Sequence, residues 1–538
     1  MTNNKPGSFL DPKSIFAIFF VGLSWFVWDG YMKKKYPHLY KEKTEQTTDV
    51  NSDKVVNSSS ENKVNSDIVV KQDTAQAIAP GTAERLTSFQ SDNLNFDISS
   101  HGMGIKNIVL NKYFDREKKV KKLSTNLSTL PFETNVLGNK QKLSFNVTKV
   151  SDNRYQGVAN YNGVPITKTV EIHPESYSIK IKVSSVGFSN DFKGVKFYLP
   201  GEKVESETSI MMPMMGGQEL FVKYENTNER LMGDAIFEEN LNLKNVSIVN
   251  LGETYFSMAM INNSNTYPTF NQINEAEKVI GQLNYPVLNY DDNKQDVLVS
   301  AFIGPKDVNY LNKIDKGLSE IIDYGWFDII ARWLLKLLKL LYGFVGNWGF
   351  AIVLMTLIIK IILLPLNIYS AKSMKRMQRI QPEIKAIREK LKGNPQEMNM
   401  KVMGLMKENK ANPVSGCLPM LLQFPIFFAF YRVLGQSIEL YQAPFMLWLQ
   451  DLSLKDPYYI LPVLMSIAMF FQMKISPSAM DPMQKKIMMF MPLIFGVFML
   501  GLPSGLTLYI FISTLFGIIQ HFILMRDTSM SQPALSKA

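Results

Sequence analysis

The sequence has very few residues of the kinds that form disulfides or hold metal ions. Cys417 is the only cysteine in 538 residues, which excludes an intramolecular disulfide and any multi-cysteine metal site. The four histidines are scattered, without an HExxH motif or a comparable metal-ligand spacing. Walker A and GxGxxG motifs are also absent, so no nucleotide chemistry is indicated. We therefore expect no metal and no other cofactor.

Long apolar runs are present, and they are concentrated in the C-terminal half of the chain. Hydrophobic residues make up only 46% of the whole, so the total alone would not indicate a membrane protein. The run 348–365 contains eighteen residues and would rise roughly 27 Å as a helix, close to the thickness of a bilayer's hydrocarbon core. Together with an N-terminal run and four later runs it predicts six membrane spans, at 14–28, 348–365, 418–435, 458–473, 487–502 and 506–525.

One of these predicted spans contains a lysine, Lys360. An ammonium group inside a membrane span costs on the order of 3 kcal/mol. Lys360 could snorkel to the nearer interface, or it could line a water-filled groove within the membrane. Thr356 lies one helical turn before it, and Gly349 lies two further turns before Thr356. Under the second interpretation these three residues line one side of the groove.

The first 325 residues of the chain predict three different segments. Residues 1–32 contain an apolar run that leads into DGYMKKKY, which favours an uncleaved signal anchor over a cleaved signal peptide. Residues 33–84 are rich in Ser, Asn, Asp and Lys and predict a disordered linker, because they cannot bury enough apolar surface to offset their ordering entropy. Residues 85–325 contain short alternating runs separated by turn residues, which predicts a large antiparallel β-sandwich.

The remaining residues predict an interfacial helix, a helical core and a short tail. In 326–346 the charges fall on one stripe of an otherwise apolar helix, as expected for a helix that lies in the membrane interface. Residues 347–526 form the predicted core of five spans. Within that core, 370–413 predicts a helical hairpin broken at Gly393-Asn394-Pro395. Residues 527–538 form the tail.

The predicted hairpin is strongly basic. It contains eleven Lys and Arg against four Glu, a charge of +7 out of +10 for the whole chain. This charge could belong to a solvated surface, or it could bind anionic lipids or other partners. Because short positive loops stay in the cytoplasm, the hairpin and both termini are predicted to be cytoplasmic and the β domain to lie on the other side.

Several long motifs of the core resemble the bacterial YidC family of membrane-protein insertases. The resemblance covers roughly residues 320–525. The motifs are NPVSGCLPMLLQFPIFFAFYRVL, QAPFMLWLQDLSLKDPYYILPVLM, DPMQKKIMMFMP and LPSGLTLYIFIS. The anchor, linker and β domain match the Gram-negative form of the family in layout. The resemblance implies a multi-pass inner-membrane protein with a periplasmic β-sandwich.

The same resemblance implies a function and its residues. A groove opens to the cytoplasm and to lipid, and the family's functional arginine corresponds to Lys360. The implied groove consists of Lys360, Thr356, Gly349, Gln423 and Tyr509. Nascent membrane proteins, presented by ribosomes, would pass from this groove into the bilayer without a catalysed covalent step, alone or beside the SecYEG and SecDF translocon components. Direct contact with nucleic acid is not expected.

Apolar side chains on two predicted spans are candidates for a hydrophobic slide along which a substrate helix moves into lipid. Methionine makes such a surface adaptable to unrelated sequences. The alternative is that these side chains simply pack or face lipid. The candidates are Met420, Phe424, Phe427, Phe428, Met488, Met491, Phe495 and Met499.

Two other functions are compatible with parts of the sequence. A secondary transporter could use Lys360 to bind an anionic solute, although no two-fold repeat is evident among the spans. The β domain could be an enzyme, because the family's periplasmic fold resembles that of sugar mutarotases; likeness of fold alone does not confer activity.

Overall fold

A computed structural model of the chain describes most of the residues after 82. The predicted anchor, all but the end of the predicted linker and most of the predicted tail lie outside the described residues. Contacts divide the chain into two compact units: the first contains most of the chain up to Gly304, and the second contains Thr254–Phe256 and the chain from Pro305 onward. The described ranges are 83–115, 118–123, 128–139, 141–188, 191–203, 217–275, 277–288, 290, 293–411, 418–475 and 482–529.

The first unit is built from antiparallel strands in three sheets. Their orders are β1-β2-β3-β4, β13-β16-β17-β10-β5 and β12-β11-β14-β15-β18-β9-β8-β7-β6. The predicted β-rich domain is confirmed, with three sheets. The strands are β1 (Leu86–Phe89), β2 (Leu94–Ser99), β3 (Ile105–Phe114), β4 (Val120–Lys122), β5 (Thr134–Val136), β6 (Asn146–Ser151), β7 (Arg154–Tyr161), β8 (Val164–His173), β9 (Ser178–Val186), β10 (Gly194–Glu202), β11 (Glu219–Tyr224), β12 (Thr227–Met232), β13 (Asn242–Leu243), β14 (Val246–Gly252), β15 (Phe256–Asn262), β16 (Thr269–Glu275), β17 (Lys278–Pro286) and β18 (Lys294–Pro305).

Alternation in the sequence explains the longest hairpins. Along β8, residues alternate between buried and more exposed positions, so one face packs into the core. Asn162 and Gly163 form the two-residue turn before β8, and both have positive φ, at 48° and 86°. This is the backbone that a tight hairpin turn requires, and it is the reason for an Asn-Gly pair there.

A fully buried lysine connects all three sheets. Lys168 lies on β8 and is 0% exposed. Its ammonium donates to the carbonyl oxygens of Gly102 at 3.1 Å, Met103 at 3.0 Å and Phe132 at 2.7 Å. Gly102 and Met103 form the turn between β2 and β3, while Phe132 precedes β5. One cation therefore satisfies backbone acceptors from the other two sheets.

The second unit is helical. The helix that follows Asn347 begins with a side-chain cap, because the side-chain oxygen of Asn347 accepts the N–H of Phe350 at 3.1 Å. The α-helices of the described residues are α1 (Ala235–Glu238), which belongs to the first unit, and α2 (Val308–Ile314), α3 (Asp328–Val345), α4 (Trp348–Ile362), α5 (Leu364–Arg379), α6 (Gln381–Lys390), α7 (Pro395–Glu408), α8 (Leu418–Gln436), α9 (Ile460–Ile475), α10 (Pro482–Met499) and α11 (Ser504–Ser529).

Among the described residues, length and composition identify one helix that could cross a membrane, or two if a bent pair of helices counts as one span, and the predicted number of six spans stays a prediction. Within α11, Ser504–Ile523 is long and apolar enough to cross a membrane. The helices α4 and α5 qualify only as a pair, bent by 57° at their junction. The predicted run 348–365 is thus interrupted at Leu363, and the next helix begins at Leu364 with Pro365 in its first turn. Ile460–Ile475 and Met488–Met499 are shorter apolar helices.

The region of the predicted helical hairpin contains consecutive helices. Its two arms, α6 and α7, are joined at Gly393-Asn394-Pro395, where the side chain of Asn394 accepts the N–H of Glu397 at 3.3 Å. Apolar side chains of this region are buried together in one cluster. The cluster comprises Met377, Ile380, Ile384, Val402, Met406 and Ala411, with Ile387 and Leu405 packed against it.

Candidate functional site

Three polar side chains from three helices form a hydrogen-bonded chain in the helical unit. The Nζ of Lys360, on α4, donates to Oε1 of Gln423, on α8, at 3.2 Å. The Nε2 of the same amide donates to the hydroxyl oxygen of Tyr509, on α11. The ammonium of Lys360 is therefore directed toward a neighbouring helix and an uncharged acceptor. A cation held in this way keeps its charge available to an anionic partner, because no carboxylate neutralises it within this chain of contacts.

Thr356 makes a contact other than the one expected of a side chain that lines a groove. It is fully buried, and its hydroxyl donates to the carbonyl oxygen of Ile352 at 2.7 Å, within its own helix. The hydroxyl is thereby satisfied one turn before Lys360. Thr356 lies on the same helix face as Lys360, and the hydrogen bond that the structure gives it is local.

Gly349 is a packing position, and the structure does not bring it to Lys360. A Cβ at Gly349 would lie 2.0 Å from Cδ2 of Phe445. Asn347 reinforces this contact, because its Nδ2 donates to the Phe445 carbonyl oxygen at 3.0 Å. The absence of a side chain lets the first turn of α4 rest on the Phe445 ring. The assignment of Gly349 to the groove is therefore corrected, since its surface is covered by that ring.

Replacing Gly349 with alanine is expected to destabilise the helical unit by about 1–3 kcal/mol, because the new methyl group overlaps the Phe445 ring. Thermal unfolding of the purified protein in detergent measures the effect. Gly343→Ala is the matched control. Nothing lies within 4 Å of its added Cβ, so its unfolding temperature should be equal to that of the wild type or slightly higher. Equal unfolding temperatures for the two variants would contradict the close packing of Gly349.

The structure shows the ring contacts and the exposure of most of the candidate slide residues. Aromatic contacts join those of α8: the rings of Phe424 and Phe428 are 4.6 Å apart, and those of Phe427 and Phe428 are 5.4 Å apart. Phe424, Met488 and Met491 are exposed, whereas Phe495 is half-buried. Met499 is 0% exposed, so it offers no surface to a sliding chain and is corrected to a core residue. The side chain of Met420 lies outside the described residues.

Sequence patterns single out Lys360, but they do not reveal the close packing of Gly349 on Phe445. Phe445 follows a proline in a loop, and nothing in its local sequence indicates that it receives Gly349. Among the described residues, no group of three or more His, Cys, Asp or Glu could hold a metal ion.

Two family models match this chain, in consecutive regions. A model described as "YidC periplasmic domain" matches residues 86–337, and one described as "60Kd inner membrane protein" matches residues 340–532. The two matched regions meet within α3, which runs from Asp328 to Val345. The first therefore covers the β-strands and the second covers Lys360, Gln423 and Tyr509.

Curated relatives show the same likeness. A protein of Campylobacter jejuni named "Membrane protein insertase YidC" is 39% identical over 68% of this chain and 66% of its own length. A protein of the same name from Paraburkholderia phymatum is 47% identical over 44% of each chain. The matched part of the chain thus spans less than two thirds of these relatives' own length.

A solved structure of the same kind is also similar. The crystal structure described as "Active YidC insertase crystal structure with the first transmembrane domain resolved" is 20% identical, with a TM-score of 0.37. The match covers 82% of this chain and 93% of that chain.

Proposed function

Because this chain belongs to the YidC family of membrane protein insertases, we propose that it moves nascent membrane proteins from the cytoplasm into the inner-membrane bilayer. The observation that carries the proposal is the hydrogen-bonded chain of Lys360, Gln423 and Tyr509 across three helices. An insertase of this kind forms and breaks no covalent bond, so the activity is not enzymatic. The transporter alternative has no support in the comparisons.

The mechanism follows from two surfaces of unlike chemistry. The cation of Lys360 attracts the acidic or polar end of a substrate partway into the membrane, because Coulomb attraction is stronger in a partly desolvated groove than in water. The apolar segment of the substrate meanwhile leaves along exposed side chains such as Phe424 and Met491 and gains burial in lipid. The lysine thus lowers the free-energy cost of bringing the substrate's polar end into the membrane, and the hydrophobic effect drives the apolar segment into lipid.

The topology that suits this mechanism is the one predicted from charge. We propose five core spans plus the N-terminal anchor, with both termini and the basic hairpin in the cytoplasm and the β domain in the periplasm. The short apolar helices Ile460–Ile475 and Met488–Met499 support a thinned bilayer beside the groove, since short spans draw the two surfaces together. Ribosome–nascent chain complexes, SecYEG, SecDF and anionic lipids are the proposed partners.

Site-specific crosslinking tests the proposal directly. A photo-crosslinking amino acid at Gln423 should capture a ribosome-held nascent membrane protein, because Gln423 is the direct neighbour of Lys360. The same amino acid at Val463, an exposed position of α9, is the control for non-specific contact with chains in the membrane. Equal capture at the two positions, or none at Gln423, would count against a groove at this site.

Deleting residues 375–410 is expected to abolish insertion, whereas single charge changes such as Lys401→Ala should be tolerated. The segment's positive charge can act diffusely on anionic lipid, with each cation contributing about 1 kcal/mol near the surface. Insertion in cells depleted of the wild-type protein measures both variants, with membrane levels compared by immunoblot. Normal insertion by the deletion variant would show that the hairpin has no part in the function.

A further inference from the structure

A second cation in the helical unit is buried and is not part of the groove. Arg432 lies one turn before the end of α8 and is 7% exposed. Its Nη2 donates to Oδ2 of Asp323 at 3.1 Å, and both side chains are almost completely buried. The other carboxylate oxygen of Asp323 accepts the N–H of Gly325 at 2.9 Å. The charge of Arg432 is therefore compensated by a residue that lies five positions before α3.

The short segment that carries Asp323 rests closely on α8. Gly325 has a φ of +71°, and a Cβ there would lie 3.1 Å from Nε of Arg432. The ring of Phe327 stacks on that of Phe428, one turn before Arg432, with centroids 6.3 Å apart. An ion pair, a glycine contact and a ring stack thus fix the same five residues onto one turn of α8.

The other end of α3 has an ion pair of its own. Lys339, near the end of α3, pairs with Glu439, which follows α8 in the chain. Between the two pairs, α3 buries Ala331, Leu334, Leu335 and Leu338. Its opposite face exposes large apolar side chains, including Ile329 and Trp333. This exposed face suits the hydrocarbon side of a membrane interface, so the bilayer would set the depth of α3.

We propose that Arg432 and Asp323 are a positioning pair, which couples the position of α3 in the interface to α8 and so holds Gln423 at Lys360. Gln423 lies nine residues before Arg432 on α8, about 14 Å along the helix axis. The inference rests on the proposed function and adds a second, non-contacting determinant of the groove's geometry.

An ion pair serves this purpose better than apolar packing. Apolar replacements of a buried pair are often as stable as the pair itself, so stability alone does not explain why two charges are buried here. Two complementary charges accept only one relative placement, whereas apolar surfaces can slide against each other. The pair therefore specifies the register of α3 on α8.

The test uses the full-length protein in lipid nanodiscs and in cells. The key variant is Asp323→Asn/Arg432→Met, which removes both charges while the amide oxygen can still accept the N–H of Gly325. Arg432→Lys keeps the charge and is the conservative variant. Lys401→Met, which removes the cation of an exposed pair with Glu397, is the matched control. Spin labels at Lys336 on α3 and Leu421 on α8, both exposed, report the distance between the helices.

We expect the double variant to accumulate and unfold like the wild type, to show a broadened distance distribution, and to insert substrates several-fold more slowly. The loss should be equal for acidic and neutralised substrates, because the pair acts on geometry and not on substrate charge. Arg432→Lys and the control should keep the narrow distribution and most of the activity.

A narrow distance distribution together with insertion at the wild-type rate in the double variant would overturn the proposal. The ion pair would then be replaceable by uncharged side chains without effect on the position of α3. The distance measurement needs no substrate. If the wild-type chain inserted no protein, the proposed function would fall, while a narrow distribution in the double variant would still refute the coupling and a broadened one would still support it.

Discussion

Lys360→Glu is expected to abolish insertion, whereas Lys360→Arg should retain it. The glutamate replaces the groove's cation by an anion, and it repels the acidic ends of substrates that Lys360 attracts. Arginine keeps the charge, and its guanidinium can still donate to Oε1 of Gln423, the acceptor that lies 3.2 Å from the lysine Nζ. The measurement is insertion by each variant in cells depleted of the wild-type protein, at matched membrane levels.

Alanine at the same position separates the two interpretations of Lys360. A charge pair at 4 Å gives roughly 4 kcal/mol at an effective dielectric of about 20, before the cost of desolvation is subtracted. Lys360→Ala should therefore weaken insertion most for substrates whose translocated tail carries Asp or Glu. Substrates with neutralised tails should be affected less, because movement of the apolar segment into lipid is unchanged. Paired substrates that differ only in these carboxylates measure the difference.

Lys336→Ala provides the control for removing a cation from a helix of the same unit, because Lys336 is exposed on α3. It should insert both members of each substrate pair normally. If Lys360→Ala also inserted both at the wild-type level, Lys360 would be a snorkelling residue and the groove-cation role would be refuted.

Local patterns in the sequence are sufficient to predict the elements whose structure depends on neighbouring residues. Strict alternation along β8 is typical of a strand with one buried face, and the spacing of Met377, Ile380 and Ile384 by three and four residues is typical of a helix with one buried face. An unusual residue in an apolar run drew attention to Lys360. In each case the physical cause acts within one strand, one turn or one helix, so it leaves a periodic trace in the sequence.

Contacts between distant residues leave no such trace. Asp323 and Arg432 are 109 positions apart, and neither is flanked by a motif that indicates its partner. The same is true of Gly349, whose neighbour Phe445 lies in a remote loop. Glycine at that position is explained only when the ring beside it is known, which is why the sequence assigned it to the groove. Burial of Met499 likewise depends on packing between helices and not on its own helix.

The buried lysine of the β domain predicts a specific dependence of stability on pH. Burial lowers the pKa of Lys168 to about 7, and the nearby carboxylate of Glu133 acts in the opposite direction. Burial also raises the pKa of Glu133, against the effect of Lys142, its ion-pair partner at 2.8 Å. In the unfolded chain a lysine titrates near 10.4. Between these two values the unfolded state binds more protons than the folded state.

Stability of the β domain should therefore rise with pH between about 7 and 10.4, by at most ~1.4 kcal/mol per pH unit from this group. Lys168→Met should remove that rise, since methionine does not titrate. Below about pH 7 the lysine is protonated in both states, so it adds no pH dependence there.

Hydrogen exchange of the β8 amides in the full-length protein measures the effect, because exchange of core amides reports the free energy of opening. Comparing wild type and Lys168→Met at each pH cancels the intrinsic dependence of exchange on pH. Lys180→Met, which removes an exposed lysine of the neighbouring strand β9, should leave the wild-type profile unchanged. If the free energy of opening of Lys168→Met ran parallel to that of the wild type from pH 7 to 10, protonation of Lys168 would not be linked to folding. If the difference between the two profiles changed with pH, the ammonium that joins the three sheets would titrate in the folded protein. The contacts that Lys168 makes between the sheets would then involve a group whose charge depends on pH.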